Sequence, residues 1–473
     1  MSGGRKSPKR RTSSGSKLRK TGSGIMTFFG LKKKDDDGES NSNRERNEKK
    51  NVKKKKGKTT RRRQSAQTEN EKEKEKDKEK DKEEEDVTKS EEDPKEPPHT
   101  NCNRIIVPKE VRTPPPERTT AATEHIGEIK KLYEEGQAVM DFEQIKTAAK
   151  EFALNAAKLM PKGAVDEYQA ELRKYAVPGF STKAFTKNIS KNRYRDVPCC
   201  DNERVVLQDT CCGDYIHANH IRGPPLNSNQ HFICTQGPTA YTVSDFWRMV
   251  KQENVQQIIM LCETVEAKKT KCLQYWPLFD EEVMKLTDAA ITVTNKGRYI
   301  HEPGTITTVL QVKDTKKDQS YHMFHHQWKL WPDRGVPDTA DVLLRLLQLA
   351  RACPSDMSVV IHCSAGIGRT GTIMAAEMGI QCFLQNKTPN VLEIVKTLRE
   401  KRAQAVQTYL QYAFVFKILL CWLEKTNPDA ETSKAIQDFL GTFQTIVCYI
   451  KHGVDERTVL LDPTINSVMD PMK

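Results

Sequence analysis

Residues 359–371 read VVIHCSAGIGRTG, and this stretch decides the fold. Met357, Val359, Val360 and Ile361 form a short apolar, β-branched run that suits a buried strand. From Thr370 to Leu384, apolar residues recur at helical spacing without a proline: Ile373, Ala376, Ile380, Phe383 and Leu384. Cys363 therefore sits in a loop between a strand and a helix N-terminus. Unpaired amides at a helix start bind anions, and the helix dipole adds to the attraction. Gly366, Gly368 and Gly371 let successive N–H groups turn inward. Arg369 offers a planar fork for two phosphate oxygens. The same cradle acts on the sulfur, because helix starts and nearby cations lower a thiol pKa from about 8.5. The expectation is a nucleophilic thiolate at the floor of a phosphate-sized cradle. His362 and Thr370 are expected to hydrogen-bond around the loop. The chain holds 13 cysteines, and only Cys363 has this setting.

HCSAGIGRTG resembles the signature loop of the classical non-receptor protein tyrosine phosphatases. The likeness runs from about Lys191 to about Leu423 through several separate motifs. It implies an α/β fold of the cysteine-phosphatase type, with a central mixed, highly twisted sheet flanked by helices. It also implies hydrolysis of phosphotyrosine in proteins through a phosphocysteine, with no metal and no other cofactor. By the same resemblance Cys363 is the nucleophile and Arg369 binds the phosphate. Ser364, Ala365, Gly366, Ile367 and Gly368 line the phosphate site, and Thr370 eases departure of the sulfur.

The remaining motifs fill in the site. Trp331-Pro332-Asp333-Arg334-Gly335-Val336-Pro337 resembles the family's mobile acid loop, with Asp333 as general acid and then general base. Lys191-Asn192-Arg193-Tyr194-Arg195-Asp196-Val197 resembles the phosphotyrosine-recognition loop. Tyr194 would stack on the substrate ring and set a depth that phosphoserine cannot span. Asp196 would accept hydrogen bonds from the substrate backbone, and Arg195 would favour acidic flanking residues. Gln407 and Gln411 match the glutamine loop, where Gln407 positions the hydrolytic water. Glu266 and Lys271 match the glutamate loop, with Glu266 orienting Arg369 and Lys271 reaching toward Asp333. Thr235–Pro238 and Asp245–Trp247 match as core and scaffold. Taken singly, these are a proline-rich turn, a half-buried tyrosine and solvent-facing polar groups. Two positions depart from the family pattern: His217 stands where Asn is usual, and Gln404 where Gly is common.

The chain has 473 residues and a net charge of +13. Residues 1–63 carry 23 Lys or Arg against 6 Asp or Glu, and residues 64–125 carry 12 against 18. The remaining residues carry 42 against 40, so the basicity belongs to the leader. Residues 1–125 are poor in apolar groups and are expected to be disordered. Lys53–Lys56 with Arg61–Arg63 suits nuclear import or polyanion binding. Ile25, Met26, Phe28, Phe29 and Leu31 among basic clusters suit an acidic membrane surface. There is no apolar signal segment at the start and no stretch long enough to span a membrane. The cysteines read as reduced thiols of an intracellular chain. Cys199-Cys200 with Cys211-Cys212 lacks the two-residue gap of zinc knuckles, so no metal is assigned.

The expected organisation is a leader at 1–125, capping helices at 126–185 and a catalytic core at 186–426. An amphipathic helix follows at 427–453, and a flexible tail at 454–473. Ile129, Leu132, Val139, Met140 and Phe142 predict one helix, and Ile145 to Leu159 a second. Strands are predicted at 203–207, 257–262, 290–294, 305–312, 322–328 and 357–363. Thr432–Lys451 carries an apolar face from Ile436 to Ile450, with Gly453 to end it, and reads as docking onto the core. The expected protein is a monomeric, cytoplasmic enzyme acting on phosphotyrosyl proteins, with a basic leader that suits entry to the nucleus. Three other readings stay open: a phosphotyrosine trap with poor turnover, a dual-specificity phosphatase, and a scaffold or nucleic-acid protein carrying a phosphatase domain.

Overall fold

The parallel strands at the centre of the sheet explain where the site lies. In the computed structural model, which describes residues 127, 129–131, 133, 140–208, 212–226, 230–452 and 454, the chain is α/β. The leader 1–125, Cys211, Gly453 and the tail from 455 lie outside the described residues. The strands are β1 (Arg204–Val206), β2 (Tyr215–Ile221), β3 (His231–Thr235), β4 (Val255–Met260), β5 (Val265–Glu266) and β6 (Lys269–Thr270). They continue as β7 (Val283–Leu286), β8 (Ile291–Glu302), β9 (Thr305–Asp314), β10 (Gln319–Trp328) and β11 (Ser358–His362). Nine of them form one mixed sheet in the order β1-β2-β3-β11-β4-β10-β9-β8-β7.

Strands β3, β11, β4 and β10 run parallel to one another. Their C-terminal ends therefore open on one edge, where ligands bind in sheets of this kind. β11 is buried at every position, as its apolar run requires of a strand covered on both faces. The flanking ladders β1–β2, β2–β3, β10–β9, β9–β8 and β8–β7 are antiparallel.

The helices are α1 (Phe142–Glu167), α2 (Lys183–Lys187), α3 (Val243–Gln252), α4 (Asp341–Arg351), α5 (Arg369–Leu384), α6 (Val391–Lys401), α7 (Tyr409–Glu424) and α8 (Ala430–Lys451). Every residue of α5 except Cys382 and Leu384 is buried, the polar Arg369, Thr370, Thr372, Glu377 and Gln381 among them. A Cβ on Gly379 would lie 2.7 Å from both methyls of Leu419, so α5 and α7 pack at close range.

The boundary expected between two N-terminal helices shifts in the structure. Phe142 opens α1 instead of closing an earlier helix, because Asp141 caps that end by accepting from the Glu143 amide. Met140 is not helical. Ile129 and Tyr133 are buried, while Leu132 and Val139 lie outside the described residues. α1 breaks at Met160, which takes φ 58° just before Pro161. A proline cannot donate to the helix and disfavours helical backbone in the residue before it. A short π-helix, Tyr168–Leu172, continues from α1.

Strands β2, β3, β5, β6 and β7 lie outside the predicted strands. β2 and β3 contain buried polar residues, His217, Asn219 and Thr235, which mask their period. The apolar face of α8 packs on α1 and α7. Ile436 and Phe439 are fully buried, and Phe439 stacks on Phe416 at 6.0 Å. Asp429 caps α8 by accepting from the Thr432 amide at 2.9 Å.

Candidate active site

Cys363 follows β11 directly, with its side chain 5% exposed. The Gly366 amide donates to Cys363 Sγ at 3.3 Å. Gly366 has φ +70°, and a Cβ there would lie 2.0 Å from the Thr235 carbonyl oxygen, so only glycine fits this turn. Helix α5 starts at Arg369 with Gly368 at its N-cap and no side-chain cap. Its first amides are thus left to face a ligand.

What turns the peptide planes of this loop is an arginine that local sequence did not single out. Arg402, 1% exposed, donates to the carbonyls of Ala365 at 3.1 Å and Gly366 at 3.0 Å. It also donates to Asn219 Oδ1 at 2.7 Å. With those carbonyls drawn toward Arg402, the amides on the opposite face point to the cradle. Nothing near Arg402 in the sequence distinguishes it from a solvent-facing arginine at a helix end.

Arg369 is 2% exposed and reaches Glu266 through both nitrogens, each at 2.6 Å. A further bond runs from Arg369 Nη1 to the Leu261 carbonyl at 2.8 Å. Glu266 is presented by the β5–β6 hairpin, whose turn residues Ala267 and Lys268 have φ 47° and 64°. That is the conformation two-residue hairpins need for their twist.

Asp333 completes the cation cluster. Lys271 Nζ donates to Asp333 Oδ2 at 2.9 Å, and Arg369 Nη2 lies 3.2 Å from Asp333 Oδ1. Burial alone would raise the Asp333 pKa, but the Lys271 hydrogen bond and the Arg369 charge outweigh it and hold the carboxyl below its usual range. For Lys271, burial works to lower the pKa, and the bond to Asp333 overrides it, so the net shift is upward. The acid segment is anchored by Trp331, 1% exposed, whose indole donates to the Gly335 carbonyl at 3.0 Å. Thr408 Oγ1 donates to the Arg334 carbonyl at 3.2 Å, tying this segment to the start of α7.

His362 is buried and held on both sides. Its Nδ1 lies 3.1 Å from the Cys363 carbonyl and its Nε2 lies 2.7 Å from Tyr275 Oη. Burial pushes the imidazole down to about 4, so it is neutral near pH 7. A carbonyl only accepts, so the proton sits on Nδ1, and Tyr275 donates to Nε2. The Tyr275 oxygen then accepts from His325 Nε2 at 2.8 Å. The expected ring of bonds around the loop is therefore present for His362 but not for Thr370. Thr370 is fully buried at the first turn of α5, and its hydroxyl has no hydrogen-bond partner.

The recognition segment is fixed from the end of β3. Gln236 accepts from the Arg193 amide at 2.9 Å and donates to the Lys191 carbonyl at 2.8 Å. Arg193 itself donates to the Gly237 and Pro238 carbonyls at 3.0 and 2.7 Å. Ser364 Oγ donates to the Lys271 carbonyl at 2.8 Å, so Tyr194 is the donor in its 2.8 Å bond to Ser364. Burial raises the Tyr194 pKa and keeps that proton in place. Asp196 is exposed at the rim, and its carbonyl accepts from Gln404 Nε2 at 2.9 Å. His217 is buried below this segment and contacts the Val197 carbonyl at 2.9 Å.

Gln407 and Gln411 meet the cradle at Gly368. A Cβ there would lie 3.1 Å from Gln407 Oε1 and from both amide atoms of Gln411. Gln411 Oε1 accepts from the Gln407 amide at 3.1 Å. The arrangement thus gathers a thiol, an anion cradle, a guanidinium, a carboxyl and two amides. These are groups suited to holding a phosphate beside a thiol. Of the cysteine quartet, Cys199 and Cys200 are buried free thiols, and Cys211 lies outside the described residues.

Comparison with known proteins places this site in a family. The profile of the protein-tyrosine phosphatases matches residues 188–421. The chain is 37% identical over 260 residues to tyrosine-protein phosphatase non-receptor type 18 of Mus musculus, covering 53% of this chain and 56% of that protein. It is 35% identical over 283 residues to tyrosine-protein phosphatase non-receptor type 9 of Homo sapiens, covering 56% and 47%. It is 34% identical over 290 residues to tyrosine-protein phosphatase 1 of Caenorhabditis elegans, covering 60% and 27%. The chain thus spans about half the length, or less, of these relatives. Through residues 188–421 it belongs to the protein-tyrosine phosphatase family.

Proposed function

We propose that this chain hydrolyses phosphotyrosine in proteins through a phosphocysteine on Cys363. The observation that carries this reading is Cys363 Sγ accepting from the Gly366 amide while Arg369 and Asp333 stand 3.2 Å apart beside it. In the first step the thiolate forms the S–P bond and the aryl O–P bond breaks. Asp333 gives its proton to the leaving phenolate oxygen. In the second step water forms an O–P bond, the S–P bond breaks, and the water proton goes to Asp333. Inorganic phosphate leaves and the thiolate is restored. Arg369 and the loop amides stabilise the equatorial oxygens in both steps. Glu266 orients Arg369, and Gln407, assisted by Gln411, holds the water. The unpartnered Thr370 hydroxyl supplies a donor to the departing sulfur. His362, neutral and fixed by Tyr275, orients the Cys363 carbonyl.

Substrate ring recognition falls to Tyr194, and Asp196 takes the peptide backbone. Among the described residues no helix is long and apolar enough to cross a membrane. A monomer in the cytoplasm, whose basic leader binds polyanions or an acidic membrane surface or directs nuclear import, completes the reading. The test is hydrolysis of a phosphotyrosyl peptide by the full chain, with Cys363→Ser and Asp333→Ala beside it. Cys363→Ser is expected to abolish turnover, and Asp333→Ala to slow it with peptide binding retained. Turnover of a phosphoseryl peptide at a comparable rate would favour a dual-specificity enzyme and contradict the role given to Tyr194.

A further inference from the structure

Gln407 is held at both ends of its peptide unit by side chains. Its amide donates to Gln411 Oε1 at 3.1 Å, and its carbonyl accepts from Tyr168 Oη at 2.6 Å. Tyr168 comes from far upstream, from the first residue of the π-helix that follows α1. It is 6% exposed, and burial raises its pKa, so the hydroxyl remains a donor.

The residue before Gln407 is strained. Val406 has φ +61°, a region β-branched residues avoid, and it is fully buried. Such a conformation persists only where neighbours over-determine it. Here the Val406 amide donates to the Ile367 carbonyl at 2.9 Å, and its carbonyl accepts from Arg399 Nη2 at 3.0 Å. Arg399 also donates through Nη1 to the Leu172 carbonyl, the last residue of the π-helix. One clamp, Tyr168 with Arg399 and Leu172, thus grips the carbonyls of strained Val406 and of Gln407. π-Helical turns are rare and occur frequently at functional sites.

We propose that Tyr168 is a positioning residue for Gln407, acting through the Gln407 carbonyl on the step in which water attacks the phosphocysteine. This inference rests on the phosphocysteine reading of the same site. In that step the water O–P bond forms, the S–P bond breaks and the proton goes to Asp333. Loss of the Tyr168 hydroxyl leaves Cys363, Arg369 and Asp333 untouched, so formation of the phosphocysteine is unaffected while its hydrolysis slows.

The experiment uses the full chain, p-nitrophenyl phosphate and stopped-flow detection of nitrophenolate. Tyr168→Phe is compared with Tyr412→Phe, which removes a hydroxyl from the same helix boundary. Tyr412 donates to Glu167 Oε2 and to no atom of Gln407. Tyr168→Phe is expected to keep the rate of the burst while steady turnover falls about three- to tenfold, the effect of one lost hydrogen bond. The burst amplitude rises, and added ethanol captures a larger share of the phosphoryl group. Tyr412→Phe leaves the partition between ethanol and water unchanged. Equal slowing of burst and steady turnover in Tyr168→Phe overturns the proposal, as does no change in partition. An equal change in Tyr412→Phe also overturns it. No hydrolysis of the aryl phosphate by the unaltered chain contradicts the phosphocysteine reading itself.

Discussion

Asp333 and Arg369 share an ion pair across 3.2 Å, so the carboxyl that would donate a proton rests against the guanidinium that would take the phosphate. A phosphate dianion competes with Asp333 for that guanidinium. In the proposed mechanism, binding would separate the pair, weaken the hold on the ionised carboxyl and let it take a proton. Lys271, at 2.9 Å, is the second cation holding Asp333 below its usual range.

Replacing Lys271 with Met removes one of the cations, beside Arg369 and Arg334, that favour ionised Asp333. The acid form then persists to higher pH. The basic limb of the kcat/KM profile, which reports the free enzyme's essential acid, is expected to move to higher pH. An unmoved limb, or one moved to lower pH, contradicts the pairing.

Arg402 draws the Ala365 and Gly366 carbonyls away from the cradle. Arg402→Met leaves both carbonyls without that donor and lets the amides turn. Inhibition by inorganic phosphate is expected to weaken about tenfold, the cost of one to two strong hydrogen bonds. A phosphate inhibition constant equal to that of the unaltered chain would show that the loop holds its shape without Arg402.

Gly366→Ala would place a methyl 2.0 Å from the Thr235 oxygen at a φ of +70°. The substitution is expected to destabilise the domain by about 3–5 kcal/mol, at the severe end for single changes. A urea midpoint within error of the unaltered chain's would show that the turn can relax.

His217 is buried, and burial pushes its imidazole down to about 3. His301 and His326 are likewise pushed down to about 3. Each is neutral when folded and charges at about pH 6.5 when unfolded. The unfolded state therefore binds more protons below that pH, and stability is full above about 6.5 and is lost as pH falls. His217→Asn is expected to reduce this acid loss by about 1.4 kcal/mol per pH unit between 6 and 4. Unfolding curves at pH 7 and pH 5 measure it, and an unchanged difference would mean that His217 is charged in the folded state.

The legible parts of this chain are those whose evidence is local. β11 and α5 announce themselves by a β-branched run and a helical period, and Cys363 by the glycines around it. β2 and β3 hide because His217, Asn219 and Thr235 are buried polar groups whose bonds run to other segments: His217 Nε2 to Val197, Asn219 to Cys200 and Arg402, and Thr235 to the His217 carbonyl. Tyr168, Arg399 and Arg402 are invisible for the same reason. Each acts on a backbone carbonyl, and a carbonyl carries no side-chain signature. Tyr168 and Gln407 stand 239 residues apart in sequence. The polar bonds that shape the site are thus its least legible feature, and the residues that would touch substrate its most legible.

The most direct test is to quench the full chain in acid during turnover of a phosphotyrosyl peptide and to map the phosphoryl group by mass spectrometry. The expected result is a phosphoryl group on Cys363, present in the unaltered chain, accumulating in Tyr168→Phe and absent in Cys363→Ser. Turnover with no phosphoryl group on Cys363, or turnover that survives Cys363→Ser, would contradict the mechanism.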